Sequence, residues 1–265
     1  MAHMPRPEAS AFVKTSMTAP DGYFAWEATG LRWLAAVTDG ARLAPVLGVE
    51  PNRLLLERVS HAAPSRTAAE AFGRDLARTH AAGALAYGVG PDGWEGHGWL
   101  GPATDLLPLL LGSYDRWGEM YAELRLLPIA TEGERRGALT GEDVRDVERL
   151  AQRLRDDDGD LDTGEPPARL HGDLWSGNLL WSPDGVVLVD PAAHAGHRET
   201  DLAMLQMFGS PQLATVLAAY DEAAPLADGW RSRVALHQTY PLLLHAAVFG
   251  GTYVGQAMDA VRRYL

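Results

Sequence analysis

Cysteine is absent from all 265 residues, which excludes disulfide frameworks, thiolate metal centres and thiol nucleophiles, and suits a cytoplasmic setting. Lysine is nearly absent. Lys14 is the only one, and every other fixed cation is arginine. Either that is chance, or the position needs a compact ammonium on a flexible stem where a planar guanidinium would not serve. There is no uninterrupted apolar run of roughly 18 residues, and no basic start followed by an apolar stretch and a small-residue cleavage site, so no membrane span or secretion signal is expected. Basic charge is scarce as well: the formal net charge is -12. A protein that binds nucleic acid by neutralising phosphates needs a concentrated basic face, so no nucleic-acid partner is expected. Any anionic ligand must be held by a few local cations or by a metal.

A 46 % hydrophobic content over this length can bury a large core, and the pattern divides the chain in two. Residues 1–10 are polar, and Met1-Ala2-His3-Met4 reads as an expression remnant ahead of a second start. Residues 11–15 read as a strand and 23–37 as a helix, with Phe24, Ala28, Leu31 and Leu34 recurring at spacings of three and four. Pro20-Asp21-Gly22 is the turn between them. Two apolar stretches, 44–49 and 53–59, flank Pro51-Asn52 as a hairpin. Residues 1–59 therefore form a small strand-rich lobe. Residues 60–265 are mainly helical, with helices over 66–82, 114–127 and 140–154, the last opened by the cap Thr140-Gly141-Glu142-Asp143. Residues 83–112 read as an ordered loop, and 156–167 as an acidic, solvated connector. The fold class is α+β.

Directly after that connector comes His171-Gly172-Asp173-Leu174-Trp175-Ser176-Gly177-Asn178, then Leu179 to Trp181, Ser182-Pro183-Asp184-Gly185, and the run Val186 to Val189 ending in Asp190-Pro191. This reads as loop, strand, turn, strand, acid. Phosphoryl transfer needs a carboxylate to orient the attacking hydroxyl and oxygen ligands for a Mg2+ that bridges phosphates. Asp173, Asn178 and Asp190 supply both at one end of a hairpin. Singly, each has a structural reading: an Asp before a turn caps amides, an Asn satisfies a turn, and Asp-Pro ends a strand. Together, at this spacing, they favour the chemistry.

These residues resemble the protein-kinase-like superfamily, and within it the fructosamine kinase (ketosamine 3-kinase) family, with Asp190-Pro191-Ala192 in place of an Asp-Phe-Gly. The likeness extends through Gly196-His197-Arg198-Glu199-Thr200-Asp201-Leu202-Ala203-Met204, Tyr240 to His245 and Phe249 to Tyr253. Upstream it includes Phe72-Gly73, His80, Trp117, Arg125-Leu126 and Pro128. The resemblance implies a bilobal protein-kinase-like fold and ATP-dependent phosphorylation of the 3-hydroxyl of a small-molecule ketosamine or amino sugar. Asp173 would be the base, Asn178 and Asp190 the Mg2+ ligands, Lys14 the contact to the nucleotide phosphates, and Glu27 either its ion-pair partner or a solvated acid on a helix face. Glu57-Arg58-Val59 would offer backbone groups to adenine, so Glu57 and Val59 are placed at the nucleotide. Where a protein kinase carries its activation segment, His197, Arg198 and Glu199 are expected to shape the sugar site, with Asp201 opening a helix and bracing the catalytic loop. A structural ion pair is an equal reading for Arg198 and Asp201. Trp175 is expected to stack on the sugar, and Trp181 to do so or to join the core.

The family pattern also places a glycine-rich strand-turn-strand before the lysine strand. None of residues 1–10 is glycine, so a shortened small lobe is expected. Two rival readings stand beside the kinase: an aminoglycoside- or choline-type phosphotransferase, and a pseudokinase that binds nucleotide without turnover.

Overall fold

The computed structural model describes residues 11–101, 105–157 and 160–265. The leading segment 1–10, and with it the expected expression remnant and the expected shortening of the small lobe ahead of the lysine strand, lies outside the described residues. In the small lobe β4 (Arg53–Glu57) is the central strand, antiparallel to both β1 (Ala11–Thr15) and β3 (Val46–Glu50). Leu54 and Leu56 alternate on its buried side. Against them packs α1 (Tyr23–Ala35), whose buried residues Phe24, Ala28, Leu31 and Leu34 are the stripe read from the sequence. Gly22 takes a left-handed φ of 83° at its N-terminus, which lets the chain turn sharply from β1 into the helix.

The lobes share a sheet and a core. β2 (Arg42–Leu43) runs parallel to β9 (Gly185–Leu188), which is antiparallel to β8 (Leu179–Ser182). The first hydrophobic core therefore runs from Phe24 and Leu34 through Phe72 and Leu76 of α2 (Arg66–Ala81) to Leu188, Leu202 and Tyr220. Ser65 caps α2 by accepting from the Ala68 amide.

The segment 83–112, expected as a loop without strands, carries a short hairpin of β5 (Gly98–Leu100) and β6 (Leu107–Leu109). Its register is held by packing rather than by a period in the sequence. Trp26 of α1 donates its indole N–H to the Trp99 carbonyl at 3.2 Å, and the ring lies where any side chain at Gly98 would stand. The helix expected over 114–127 begins instead at Trp117 and continues to Arg135, as α3 (Trp117–Tyr121), a π turn (Ala122–Leu126) and α4 (Leu127–Arg135). Pro128 explains the irregularity. It has no N–H for the Leu124 carbonyl four residues back, and the Arg125 guanidinium donates to that carbonyl at 3.0 Å instead. Next, α5 (Gly141–Asp156) opens on the expected Thr140 and Asp143, which form a reciprocal capping box.

A second core packs α3 to α5 against α8 (Trp230–Phe249) and α9 (Thr252–Arg262). Between the two cores run β7 (Ala168–Leu170), antiparallel to β10 (His194–Gly196), and then α6 (Arg198–Met207), while α7 (Leu213–Ala223) packs on α2 in the first core. Among the described residues no helix is long and apolar enough to cross a membrane.

Candidate active site

The loop between β7 and β8 is tied down at its base. Asp201, on the first turns of α6 and 1 % exposed, accepts from the His171 amide at 2.7 Å and the Gly172 amide at 3.0 Å. His80 of α2 reaches the same carboxylate at 3.2 Å through Nε2, while its Nδ1 meets the Tyr220 hydroxyl at 2.8 Å. Burial alone would push the Asp201 carboxyl up, but His80, His171 and the loop amides outweigh it and hold the carboxyl below its usual range. Gly172 has φ +80°, and a Cβ there would lie 2.1 Å from the Ala192 carbonyl oxygen. Only glycine fits. His171 donates from Nε2 to the Val189 carbonyl at 2.9 Å and accepts the Asp173 amide on Nδ1, which joins the loop to the strand end that carries Asp190.

Asn178 closes the loop from the other side. Its amide nitrogen donates to the backbone oxygen of Asp173 at 2.8 Å and to Asp173 Oδ2 at 3.0 Å, so its amide oxygen is the atom left to serve a ligand. Burial raises the Asp173 carboxyl above the ordinary carboxylate range, with His171 and Asn178 opposing.

The lone lysine sits at the hub of the small lobe's contribution. Lys14 Nζ lies 2.8 and 2.7 Å from the two oxygens of Glu27 and 3.0 Å from Asp190 Oδ1. Burial works against its charge, but the Glu27 and Asp190 carboxylates outweigh that and raise its pKa, keeping it an ammonium. Asp190 itself adopts φ 56°, a left-handed conformation that costs a non-glycine residue energy, and its carboxylate remains 47 % exposed. The following Pro191 and Ala193 pack on Gly30 of α1, where a Cβ would come 3.0 Å from the Ala193 methyl. Helix α1 is thus seated on the segment that carries Asp190.

Lys14, Glu27, Asp173, Asn178 and Asp190 line one cleft of about 520 Å3. At Lys14 two carboxylates, those of Glu27 and Asp190, share one ammonium, and Asp173 lines the same cleft. The exposed Asp190 carboxylate and the Asn178 amide oxygen are hard oxygen donors, and this donor set suits Mg2+. Buried Arg125 also lines the cleft; it donates to the Leu110 carbonyl at 2.7 Å and has no carboxylate partner among the described residues.

Trp175 lines the same cleft, 38 % exposed, while Trp181 is core. His197, Arg198 and Glu199 do not line it, contrary to expectation. Thr200, Asp201 and Met204 of α6 and Phe208 just beyond it line the cleft, whereas His197 at the N-cap and Arg198 and Glu199 in the first turn are taken up by other partners. There Glu199 takes two bonds from Arg233, at 2.6 and 3.0 Å, which with His237 outweigh its burial and lower its pKa to about 2. Arg198 forms a bidentate pair with Glu165, at 2.6 and 2.7 Å. The buried His197 ring lies 5.3 Å from Trp117 and 4.8 Å from His237. His197, Glu199 and His237 bring possible metal-ligand atoms within 4.8 Å, but Arg233 already neutralises the carboxylate, and the group is a buried ion-pair network. Glu57 and Val59 lie at and beyond the end of β4 and do not line the cleft.

Sequence reasoning gave no role to Tyr220 or to the aromatic side chains Phe208, His245, Phe249 and Tyr253 that line the cleft's outer part. The only signal for Tyr220 was a buried position on a short amphipathic helix.

The fructosamine kinase family model matches residues 2–265. A relative from Lactiplantibacillus plantarum named as a ketoamine kinase is 32 % identical over 241 residues, covering 90 % of this chain and 80 % of the relative. One of the same name from Synechocystis is 30 % identical over 97 % of this chain and 84 % of its own. A Thermobifida fusca protein whose crystal structure carries the name fructosamine-3-kinase superposes with a TM-score of 0.86 at 46 % identity, over 96 % of this chain and 85 % of that one. The gentamicin complex of an aminoglycoside phosphotransferase, at 12 % identity and TM-score 0.56, shares the fold, covering 96 % of this chain and 84 % of that one. With the family model spanning nearly every residue, the chain belongs to the fructosamine kinase family of kinase-fold phosphotransferases.

Proposed function

We propose that this protein phosphorylates ketosamines on the sugar 3-hydroxyl, with ATP as donor and Mg2+ as metal. The observation that carries the reading is the single ammonium of Lys14 bonded at once to Glu27 and Asp190, in the cleft that also holds the Asp173–Asn178 pair. Lys14, positioned by Glu27, takes the nucleotide phosphates as a point charge. Asn178 and Asp190 hold the metal, which when bound offsets the charge on the phosphates. Asp173 orients the acceptor hydroxyl and takes its proton as the oxygen bonds to the γ-phosphorus, the bond from that phosphorus to the β,γ-bridging oxygen breaks, and ADP leaves. A carboxyl raised by burial suits that role, being a better proton acceptor than a solvated Asp. Trp175, beside the base and exposed to the cleft, offers its face to the sugar.

The test is ATP consumption with Mg2+ and a fructosamine, a ribulosamine, an aminoglycoside and choline, with the phosphate located by NMR. Phosphate on the 3-oxygen of a ketosamine is the expected result. Transfer to the aminoglycoside or choline alone would move the protein to the rival substrate class, and nucleotide binding without any transfer would make it a silent kinase.

A further inference from the structure

Among the described residues the exposed phenylalanines and tryptophans are Phe12, Trp175, Phe208 and Phe249, and the last three border the cleft on one side. They do not stand singly. Trp175 meets Phe208 edge-on with ring centres 6.0 Å apart, and Phe208 lies 5.3 Å from His245. His245 in turn contacts Phe249 at 5.5 Å and Tyr253 at 5.0 Å. Four separate elements supply these rings: the loop between β7 and β8, the end of α6, the end of α8 and the start of α9. Gly250 and Gly251, both at φ 62°, turn the chain so that Phe249 and Tyr253 share one side. Phe249 remains 58 % exposed and Phe208 41 %. A contiguous apolar rim held open to water costs free energy unless a ligand covers it.

Its position says which ligand. The rim begins at Trp175, two residues from Asp173, and His245 lines the same cleft as Asp173. An acceptor whose hydroxyl meets Asp173 must send its remaining bulk along the cleft. The Lys14 side is committed to phosphates, which leaves the rings for the part of the acceptor that is not sugar. Aromatic faces and edges take up flat apolar groups, and they also attract a cation such as the ammonium of the ketosamine.

Resting on the kinase reading above, we propose that Phe208, His245, Phe249 and Tyr253 form a specificity subsite for the amine substituent of the ketosamine, and that it selects aromatic or bulky apolar amines over small ones. The sugar is read near Asp173 and the amine at the rim.

The experiment compares N-benzyl and N-methyl ribulosamine, which share the sugar, on the full chain. Affinities come from calorimetry with MgADP present, and phosphate transfer is followed in parallel with MgATP. The benzyl compound should bind roughly tenfold more tightly, the gain of one or two aromatic contacts at 1.4 kcal/mol per decade. Phe249→Ala and Phe208→Ala should each reduce that ratio to about threefold or less, whereas Phe249→Tyr, which keeps the ring, should preserve it. Phe249 is exposed at a helix end, so its replacement leaves the core intact. Equal affinity for the two compounds, binding of neither, or a ratio that survives both alanine variants would overturn the subsite. Benzyl preference without phosphate transfer would uphold the subsite and remove the kinase reading. Transfer to both compounds with no preference would do the reverse.

Discussion

Replacing Asp201 by asparagine tests whether the catalytic loop is held by its buried brace. The carboxylate accepts three hydrogen bonds, from the His171 and Gly172 amides and from His80, on two oxygens at 1 % exposure. An asparagine turns an NH2 towards at least one of these donors whichever way its amide lies. One backbone N–H is then buried without an acceptor, at about 1–3 kcal/mol, and the surviving bonds lose the help of the charge. Together these come to about 3 kcal/mol. In a chain of this size 1 kcal/mol moves Tm by about 2–4 °C, so the melting temperature should fall by about 6–12 °C. The same change frees the loop that fixes Asp173 while leaving Lys14, Glu27 and Asp190 in place. At a temperature where the variant is fully folded, kcat should therefore drop by about one to two orders of magnitude with KM for MgATP nearly constant, since loss of positioning removes an interaction made in the transition state. Thermal unfolding followed by circular dichroism and steady-state kinetics on the same samples read both effects. A Tm within 1 °C of the parent, or a loss that falls on KM for ATP instead of kcat, would show that Asp201 is not the brace.

Asp173→Asn should keep MgATP binding and lose about 10²–10⁴ in kcat, as measured by ATP consumption. In the parent enzyme kcat should fall with decreasing pH as Asp173 takes up its proton, the midpoint lying above the ordinary carboxylate range because burial raises that group; a midpoint at or below 3.8 would contradict this. Lys14→Met leaves buried Glu27 and the Asp190 carboxylate without their ammonium, so kcat/KM for ATP should fall at least tenfold, the equivalent of about 1.4 kcal/mol, and an unchanged value would remove Lys14 from the nucleotide site. Gly172→Ala combines a left-handed φ with a 2.1 Å contact to backbone, and little folded protein should be recovered; an unaltered melting curve would mean that the loop relaxes freely.

Elements whose residues carry their own signal were legible in the sequence. The α1 stripe, the Thr140–Asp143 box and the hairpin after Asn178 each rest on spacing or local capping, and each formed where its pattern lay. The residues proposed for catalysis could be picked out as candidates because one short motif holds them, and the structure brings them into one cleft. What escaped depends on partners distant in the chain. The β5–β6 hairpin has no strand-like alternation, and its place is decided by Trp26, more than 70 residues earlier. His197, Arg198 and Glu199 were assigned by order along the chain, but order cannot say which side of a helix meets the cleft. The contacts that decided it, to Arg233 and Glu165, come from α8 and from the connector that precedes the catalytic loop. The aromatic rim escaped for the same reason, since its rings come from α6, α8 and α9 and meet only after those helices have packed.

The arrangement of Lys14 ties the two halves of the cleft together. Its ammonium is shared between Glu27, which is rigidly buried in α1, and Asp190, which is half exposed and held in a strained backbone conformation. Any cation bound at Asp190 competes with Lys14 for the same carboxylate, and any phosphate drawn to Lys14 competes with Asp190 for the same ammonium. On the proposed assignment, metal and nucleotide would relieve both conflicts by binding together, with Asp190 turned to the metal and Lys14 to the phosphates. Glu27, buried and bonded to the ammonium through both oxygens, would keep it in place during that exchange. That division of labour gives a physical reason for a chain otherwise built with arginine to retain one lysine: a compact ammonium with rotatable donors can exchange a carboxylate for a phosphate by a small turn, whereas a guanidinium's rigid planar fork would have to be re-aimed as a whole.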